Sequence, residues 1–243
     1  MYLRYTSSGY LVILPQDDPH RIVDAMLATN YSEEFCLSPV FDPGFIARLM
    51  EAGFLVMSTR IDNEETEGVD CYILIPKLHL TRSALFFENL HIKKSVKRFL
   101  GRYELRPDSD FNYILDRCIE VHGDEWLTPP LVDAIKIIRE SAPAPLASGG
   151  HIAVRPMSFA LYHDGKLVAG EFGIKAGRVY TSYSGYYDES NAGTAQLILT
   201  CRYLQDRGYS FFDLGMPMQY KIDLGAVDIS PKEFVVLFRE AQG

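Results

Sequence analysis

The stretch MSFALYHDGKLVAGEFGIKAGRVYTSYSGYY, residues 157–187, holds three runs of branched and aromatic residues. They are separated only by His163-Asp164-Gly165 and Lys175-Ala176-Gly177. Turns this short leave no room for a crossover, so the three runs are predicted to be neighbouring antiparallel strands. The next segment, AGTAQLILTCRYLQDRG (192–208), reads as a helix with Ala195, Leu197, Ile198, Leu199, Cys201 and Leu204 on a broad apolar face. YSFFDLG (209–215) then returns as a strand that ends on Asp213. Between meander and helix, Asp188-Glu189-Ser190-Asn191 is a polar turn in which Ser190 or Asn191 is expected to cap the helix.

An antiparallel meander, a helix and a returning strand form the pattern of an α+β, N-acetyltransferase-like (GNAT-like) domain with a mixed, largely antiparallel central sheet. Working outward, DDPHRIVDAMLATN (17–30) and FDPGFIARLMEAG (41–53) each place Asp and Pro ahead of an apolar repeat, the signature of a helix start. FLVMSTRI and VDCYILIPKL read as strands around an acidic loop, DNEETEG. DFNYILDRCIEVHG and PPLVDAIKIIRESA read as amphipathic helices, and APAPLASGG as a flexible loop. FENLHIKKSVKRFLGR looks like a helix entry crowded with cations, and YELRPD as extended chain. The expected organisation is an N-terminal α+β region over residues 1–75 and a GNAT-like domain over 76–243. Within the latter, Asp213 is expected at a strand end facing an open cavity.

The 243-residue chain carries 32 acidic and 24 basic residues, a net charge of -8, which argues against a surface that coats nucleic acid throughout. A local basic patch remains compatible with that balance, and HIKKSVKR (91–98) supplies one through Lys93, Lys94, Lys97 and Arg98. Lys77, Arg82, Arg102 and Arg106 lie near it in sequence. A charge run is ordinarily a solvated face, but phosphate contacts need several cations in one neighbourhood. The 4 cysteines lack metal-ligand spacing and read as reduced thiols, so no metal is expected. The N-terminal apolar run is too short for a signal peptide or a bilayer span, which predicts a soluble, cytoplasmic protein with no membrane partner.

Over residues 35–240 the chain resembles the leucyl/phenylalanyl-tRNA–protein transferases, the aminoacyltransferases of the N-end rule that mark proteins for degradation. FDPGFIARLMEAGF, LHIKKSVKRF, DEWLTPPLVDAI, DGKLVAGEFGIKAGRVY, SNAGTAQLIL and DLGMPMQYKIDLGAVDISPKEFV resemble family segments in the family's order. The resemblance implies transfer of an aminoacyl group from aminoacyl-tRNA, as co-substrate and without another cofactor, to the N-terminal amine of a protein or peptide. The departures are specific. The family's glutamate falls at Tyr183 and its NASK lysine at Thr194. Its Asp-x-Gln pair falls on Asp213 and Gly215, so the glutamine is missing, and its histidine falls at Tyr220.

The transfer requires a deprotonated amine, an anchored ester and donors for the developing oxyanion. On the resemblance, Asp213, Tyr220 and Tyr183 are the catalytic candidates. Trp126, Asn191, Ser184, Tyr186 and Glu171 are the substrate-binding candidates, and Lys93, Lys94, Lys97, Arg98 and Arg82 those for tRNA. Each has an ordinary alternative: Asp213 as a strand-end cap, the tyrosines as core filling, and Trp126 as a helix-packing anchor. A related acyltransferase with another donor or a small-molecule amine acceptor, and a non-catalytic tRNA- or peptide-binding protein, remain as alternative readings. The sequence leaves open the amino acid carried, the N-terminal residue accepted and the oligomeric state.

Overall fold

A computed structural model describes residues 3–29, 31–61, 70–141 and 154–243. The acidic loop and the Pro- and Gly-rich loop expected from the sequence lie outside the described residues. The chain forms two compact units, Met1–Leu80 with Gly123–Val154, and Thr81–His122 with Arg155–Gly243.

In the first unit, β1 (Arg4–Tyr5) and β2 (Leu11–Val12) pair antiparallel, followed by α1 (Pro19–Ala28) and α2 (Pro43–Glu51). Both helices begin as their Asp-Pro starts require: Asp18 accepts from His20 N at 3.0 Å and Asp42 from Phe45 N at 2.7 Å. β3 (Leu55–Ile61) and β4 (Cys71–Lys77) form an antiparallel pair. The chain then enters the second unit through β5 (Arg82–Leu85), α3 (Lys94–Lys97), β6 (Tyr103–Pro107) and α4 (Phe111–His122). It returns to the first for α5 (Pro129–Glu140), which packs on α2. Thr128 and Ser58 share a hydroxyl hydrogen bond of 2.7 Å, and Ser58 N donates to the Trp126 carbonyl at 3.0 Å. Residues 76–80 group with the first unit, and Gly123–Val154 return to it, so the two units alternate along the chain.

The rest of the second unit is β7 (Val154–His163), β8 (Lys166–Ala176), β9 (Val179–Tyr187), α6 (Ala192–Asp206), β10 (Phe211–Asp213), α7 (Gln219–Asp223), β11 (Val227–Ile229) and α8 (Pro231–Glu240). Its seven-stranded sheet runs in the order β11-β5-β10-β9-β8-β7-β6. The β8–β9 and β6–β7 pairs are antiparallel, as are β5 with β10 and β11 with β5, whereas β10 runs parallel to β9. That parallel pair follows from α6, whose length carries the chain back to the start of the sheet. The α+β class and the mixed, largely antiparallel sheet are those read from the sequence.

Two faces of this sheet are covered differently. Phe212, Tyr180, Cys201 and Leu204 share one core cluster, which places α6 on their face. On the other face, Phe111 of α4 meets Phe172 edge-on at 6.2 Å and Phe234 of α8 meets Phe211 at 6.3 Å. Alternation along each strand sends consecutive residues to opposite faces. The α6 face of the helix itself differs from the expected one: Gln196 and Thr200 are buried, while Leu197 and Leu199 are only half-buried. The cationic stretch makes no long helix, only the single turn α3, whose Val96 is buried against the α6 core. Among the described residues no helix is long and apolar enough to cross a membrane.

Candidate functional site

Asp213 ends β10 but does not face an open cavity. It is fully buried, and its carboxylate accepts from Arg82 Nε at 2.8 Å, Arg82 Nη2 at 2.6 Å, Thr181 Oγ1 at 2.8 Å and Gly215 N at 3.0 Å. Four donors occupy both carboxylate oxygens and leave no capacity for an incoming ammonium. Burial pushes this carboxyl up, but the Arg82 charge, its two hydrogen bonds, Gly215 N–H and Thr181 outweigh burial and hold it below the usual range. Arg82 is likewise buried, with its guanidinium 4.3 Å over the Phe234 ring of α8. The expected phosphate-binding Arg82 is therefore a core residue, placed there because β5 lies between β11 and β10 in the sheet.

Glu171 lies in β8 on the opposite, α6 face. It is 1% exposed; Gln196 Nε2 donates to its Oε2 at 2.7 Å and also to Thr200 Oγ1 at 2.9 Å. Oε1 has no hydrogen-bond partner among the described residues. Burial raises its pKa to about 7, against the smaller opposing pulls of Gln196, Ser182 and Lys221. The Tyr180 hydroxyl and the Ser83 hydroxyl are also buried without a hydrogen-bond partner among the described residues. Gly173, on the face of Glu171, leaves space for Tyr180: a Cβ there would stand 2.8 Å from Tyr180 Oη and 2.2 Å from the Thr181 carbonyl.

A β-bulge organises this cluster. The β8–β9 register pairs Glu171 with Gly185 and Phe172 with Ser184, then shifts so that Gly173 pairs with Ser182, leaving Tyr183 as the extra residue. In an unbroken ladder Tyr183 would share the face of Gly185 and Glu171. With the bulge, Tyr183 packs against Phe172 at 6.0 Å on the α4 face, and Ser182 turns to the α6 face beside Glu171.

α7 closes the end of the site. Lys221 is buried and donates from Nζ to the Leu214 carbonyl at 2.6 Å and to that of Met216 at 2.7 Å. Burial lowers its pKa, opposed by the charges of Asp213 and Glu171. Tyr220 is 47% exposed, and its hydroxyl is raised by burial and then by Glu171.

The remaining expected residues separate. Ser184 bonds the Cys118 thiol on the α4 side, and Tyr186 is buried beneath Arg117 of α4, 5.1 Å from its ring centroid. Asn191 is exposed with φ 71 and makes no side-chain cap; its left-handed backbone, which Asn tolerates, replaces the extended one that capping requires. Trp126 is half-buried in the first unit. Lys93, Lys94, Lys97 and Arg98 are exposed around α3, with Lys93 paired to Asp223 of α7 at 2.8 Å. The sequence alone does not single out Gln196, Ser182, Thr200 or Lys221. The available signal was the four-residue spacing of Gln196 and Thr200 through an otherwise apolar helix face. Among the described residues no three His, Cys, Asp or Glu side chains converge as a metal-ligand set.

Comparison with known proteins joins these elements to one family. A leucyl/phenylalanyl-tRNA–protein transferase of Pseudomonas putida (strain W619) is 27% identical over 158 residues, 63% of this chain and 65% of that protein. The chain thus spans 65% of the length of that relative. One of Dinoroseobacter shibae (strain DSM 16493 / NCIMB 14021 / DFL 12) is 24% identical over 209 residues, covering 84% and 82%. The solved structure of FemX superposes with a TM-score of 0.46 and 10% identity over 94% of this chain and 86% of that one. The profile of the family described as leucyl/phenylalanyl-tRNA protein transferase matches residues 84–239, from β5 through α8 and well over half of the chain. By that match the chain belongs to the leucyl/phenylalanyl-tRNA protein transferase family.

Proposed function

We propose that this protein transfers an aminoacyl group from aminoacyl-tRNA to the N-terminal amine of a protein or peptide, using a GNAT-like sheet as its scaffold. The observation that carries this reading is the family match over residues 84–239, which includes the mixed sheet, α6 and the buried Glu171 cluster. The donor ester is already activated, so the site must position an amine, receive its proton and stabilise an oxyanion. Exposed Lys93, Lys94, Lys97 and Arg98 supply a cationic patch suited to tRNA phosphates, and exposed Tyr220 on the adjoining α7 offers an aromatic face to a terminal base. In this reading Asp213 and Arg82 brace the scaffold and do not touch substrate.

The test is incubation with bulk aminoacylated tRNA and peptides of varied first residue, followed by peptide mass. A mass increase of one aminoacyl residue, abolished by prior deacylation of the tRNA, is the expected outcome. No increase with any charged tRNA or peptide rejects the reading.

A further inference from the structure

Resting on the transfer reaction just proposed, we infer that Ser182 contacts the attacking amine and that Glu171 behind it accepts the amine's proton and returns it to the leaving oxygen. Three features of the fold support this. Glu171 is a sealed carboxylate with one oxygen engaged by Gln196 and the other without a hydrogen-bond partner among the described residues, an arrangement a core has no packing reason to keep. The bulge turns Ser182 toward this carboxyl, and Ser182 is only half-buried, so it joins the sealed acid to the surface. The other buried acid of the sheet, Asp213, has both oxygens occupied and lies on the opposite face.

The proton path balances without any further reactant. As the amine nitrogen bonds to the ester carbonyl carbon, it gives one N–H proton to Ser182 Oγ, and the Ser182 proton passes to the Glu171 carboxylate. When the tetrahedral intermediate collapses, the bond from carbonyl carbon to ribose oxygen breaks. The departing ribose oxygen takes the proton back along the same path, giving an amide and a free hydroxyl. Ser182 is the catalytic residue of this step, and Glu171 positions and drives it.

The path requires ionised Glu171, whose pKa of about 7 leaves it divided between its two forms at neutral pH. The charged and titratable groups that bear on it are Lys221 and Tyr220 of α7, Tyr180 of β9 and, through the sheet, Cys118 of α4. Gln196 of α6 contributes a neutral donor.

The test compares wild type, Glu171→Gln and Ser182→Ala in peptide aminoacylation across pH 5.5–9, alongside tRNA dissociation constants and melting temperatures. The acceptor α-amine itself titrates near pH ~8. For wild type, log kcat/KM for the peptide should therefore rise with a slope approaching two below neutral pH, one unit from the amine and one from Glu171. Glu171→Gln should reduce the slope to one and lower kcat about 10²-fold at pH 7.5, with tRNA affinity unchanged. Ser182→Ala should lower kcat to a similar extent. Glu171→Gln that keeps both the wild-type rate and the slope of two overturns the inference and leaves the transfer reaction standing. A wild-type protein that aminoacylates no peptide overturns both.

Discussion

Two carboxylates are buried in the same sheet, on opposite faces, and their surroundings drive them in opposite directions. Asp213, facing α8, receives a bidentate Arg82, a threonine hydroxyl and a backbone N–H, so it stays ionised and below the usual carboxylate range. Glu171, facing α6, receives a Gln196 amide donor with Ser182 beside it, has one oxygen without a hydrogen-bond partner of normal geometry among the described residues, and is raised to about 7. Burial alone therefore does not make an acid reactive. Hydrogen-bond saturation and a close countercharge make Asp213 a brace, and their absence leaves Glu171 able to exchange a proton near neutral pH. The one acid–glutamine contact in this cluster joins Glu171 of β8 to Gln196 of α6.

The strongest way to break the comparison is Asp213→Asn. Removing one partner of a buried ion pair strands Arg82, and unfolding in urea should show a loss of about 3–5 kcal/mol. Because the Asp213 pKa is depressed in the folded state, its contribution is present above the unfolded value and is lost as pH falls through the folded one. The mutant's deficit should therefore shrink in strong acid. A variant of wild-type stability would show that the Arg82–Asp213 pair does not brace the sheet.

Glu171→Gln should act with the opposite sign. A carboxyl raised from 4.5 to about 7 favours folding fully below the unfolded value and loses that contribution as pH rises through the folded one. Above pH 8 wild type thus carries a penalty of ~3 kcal/mol that glutamine lacks. The variant should be the more stable protein there, with the advantage vanishing toward pH 4. Urea unfolding at pH 4.5, 6 and 8.5 measures this, and a pH-independent difference would remove the raised carboxyl from the account.

Gly173→Ala sharpens the comparison on the α6 face alone. Its Cβ would collide with the Thr181 carbonyl and Tyr180 Oη, and the strain should cost about 1–3 kcal/mol by thermal or urea unfolding. A neutral result would mean that the bulge yields without cost.

Reversal of Lys93, Lys94, Lys97 and Arg98 to glutamate lies outside both buried clusters. It should shift stability least, each site within about 0.5 kcal/mol. Its effect should appear in tRNA affinity measured at low salt and fade as salt rises. Unchanged binding at low salt would make the patch a solvated face.

The sequence by itself determined the meander, the helix α6 and the strand that follows it, because two-residue periodicity, short turns and a long apolar helical face are local properties. It also determined the starts of α1 and α2, where Asp and Pro meet the needs of the first helical turn without distant partners. Tertiary structure decided the surroundings of each acid. β5 lies next to β10 only through long-range pairing, and that pairing delivers Arg82 to Asp213, 131 positions along the sequence. The bulge that turns Ser182 toward Glu171 and Tyr183 away from it depends on register, which leaves no periodic trace in one strand. Gln196 lies on a helix face whose apolar neighbours mark it as buried, but only the strand beneath it decides that its partner is a carboxylate. The charge state of a buried group is fixed by donors and dielectric gathered from several segments, so one linear sequence names the acids and the folded sheet sets their ionisation.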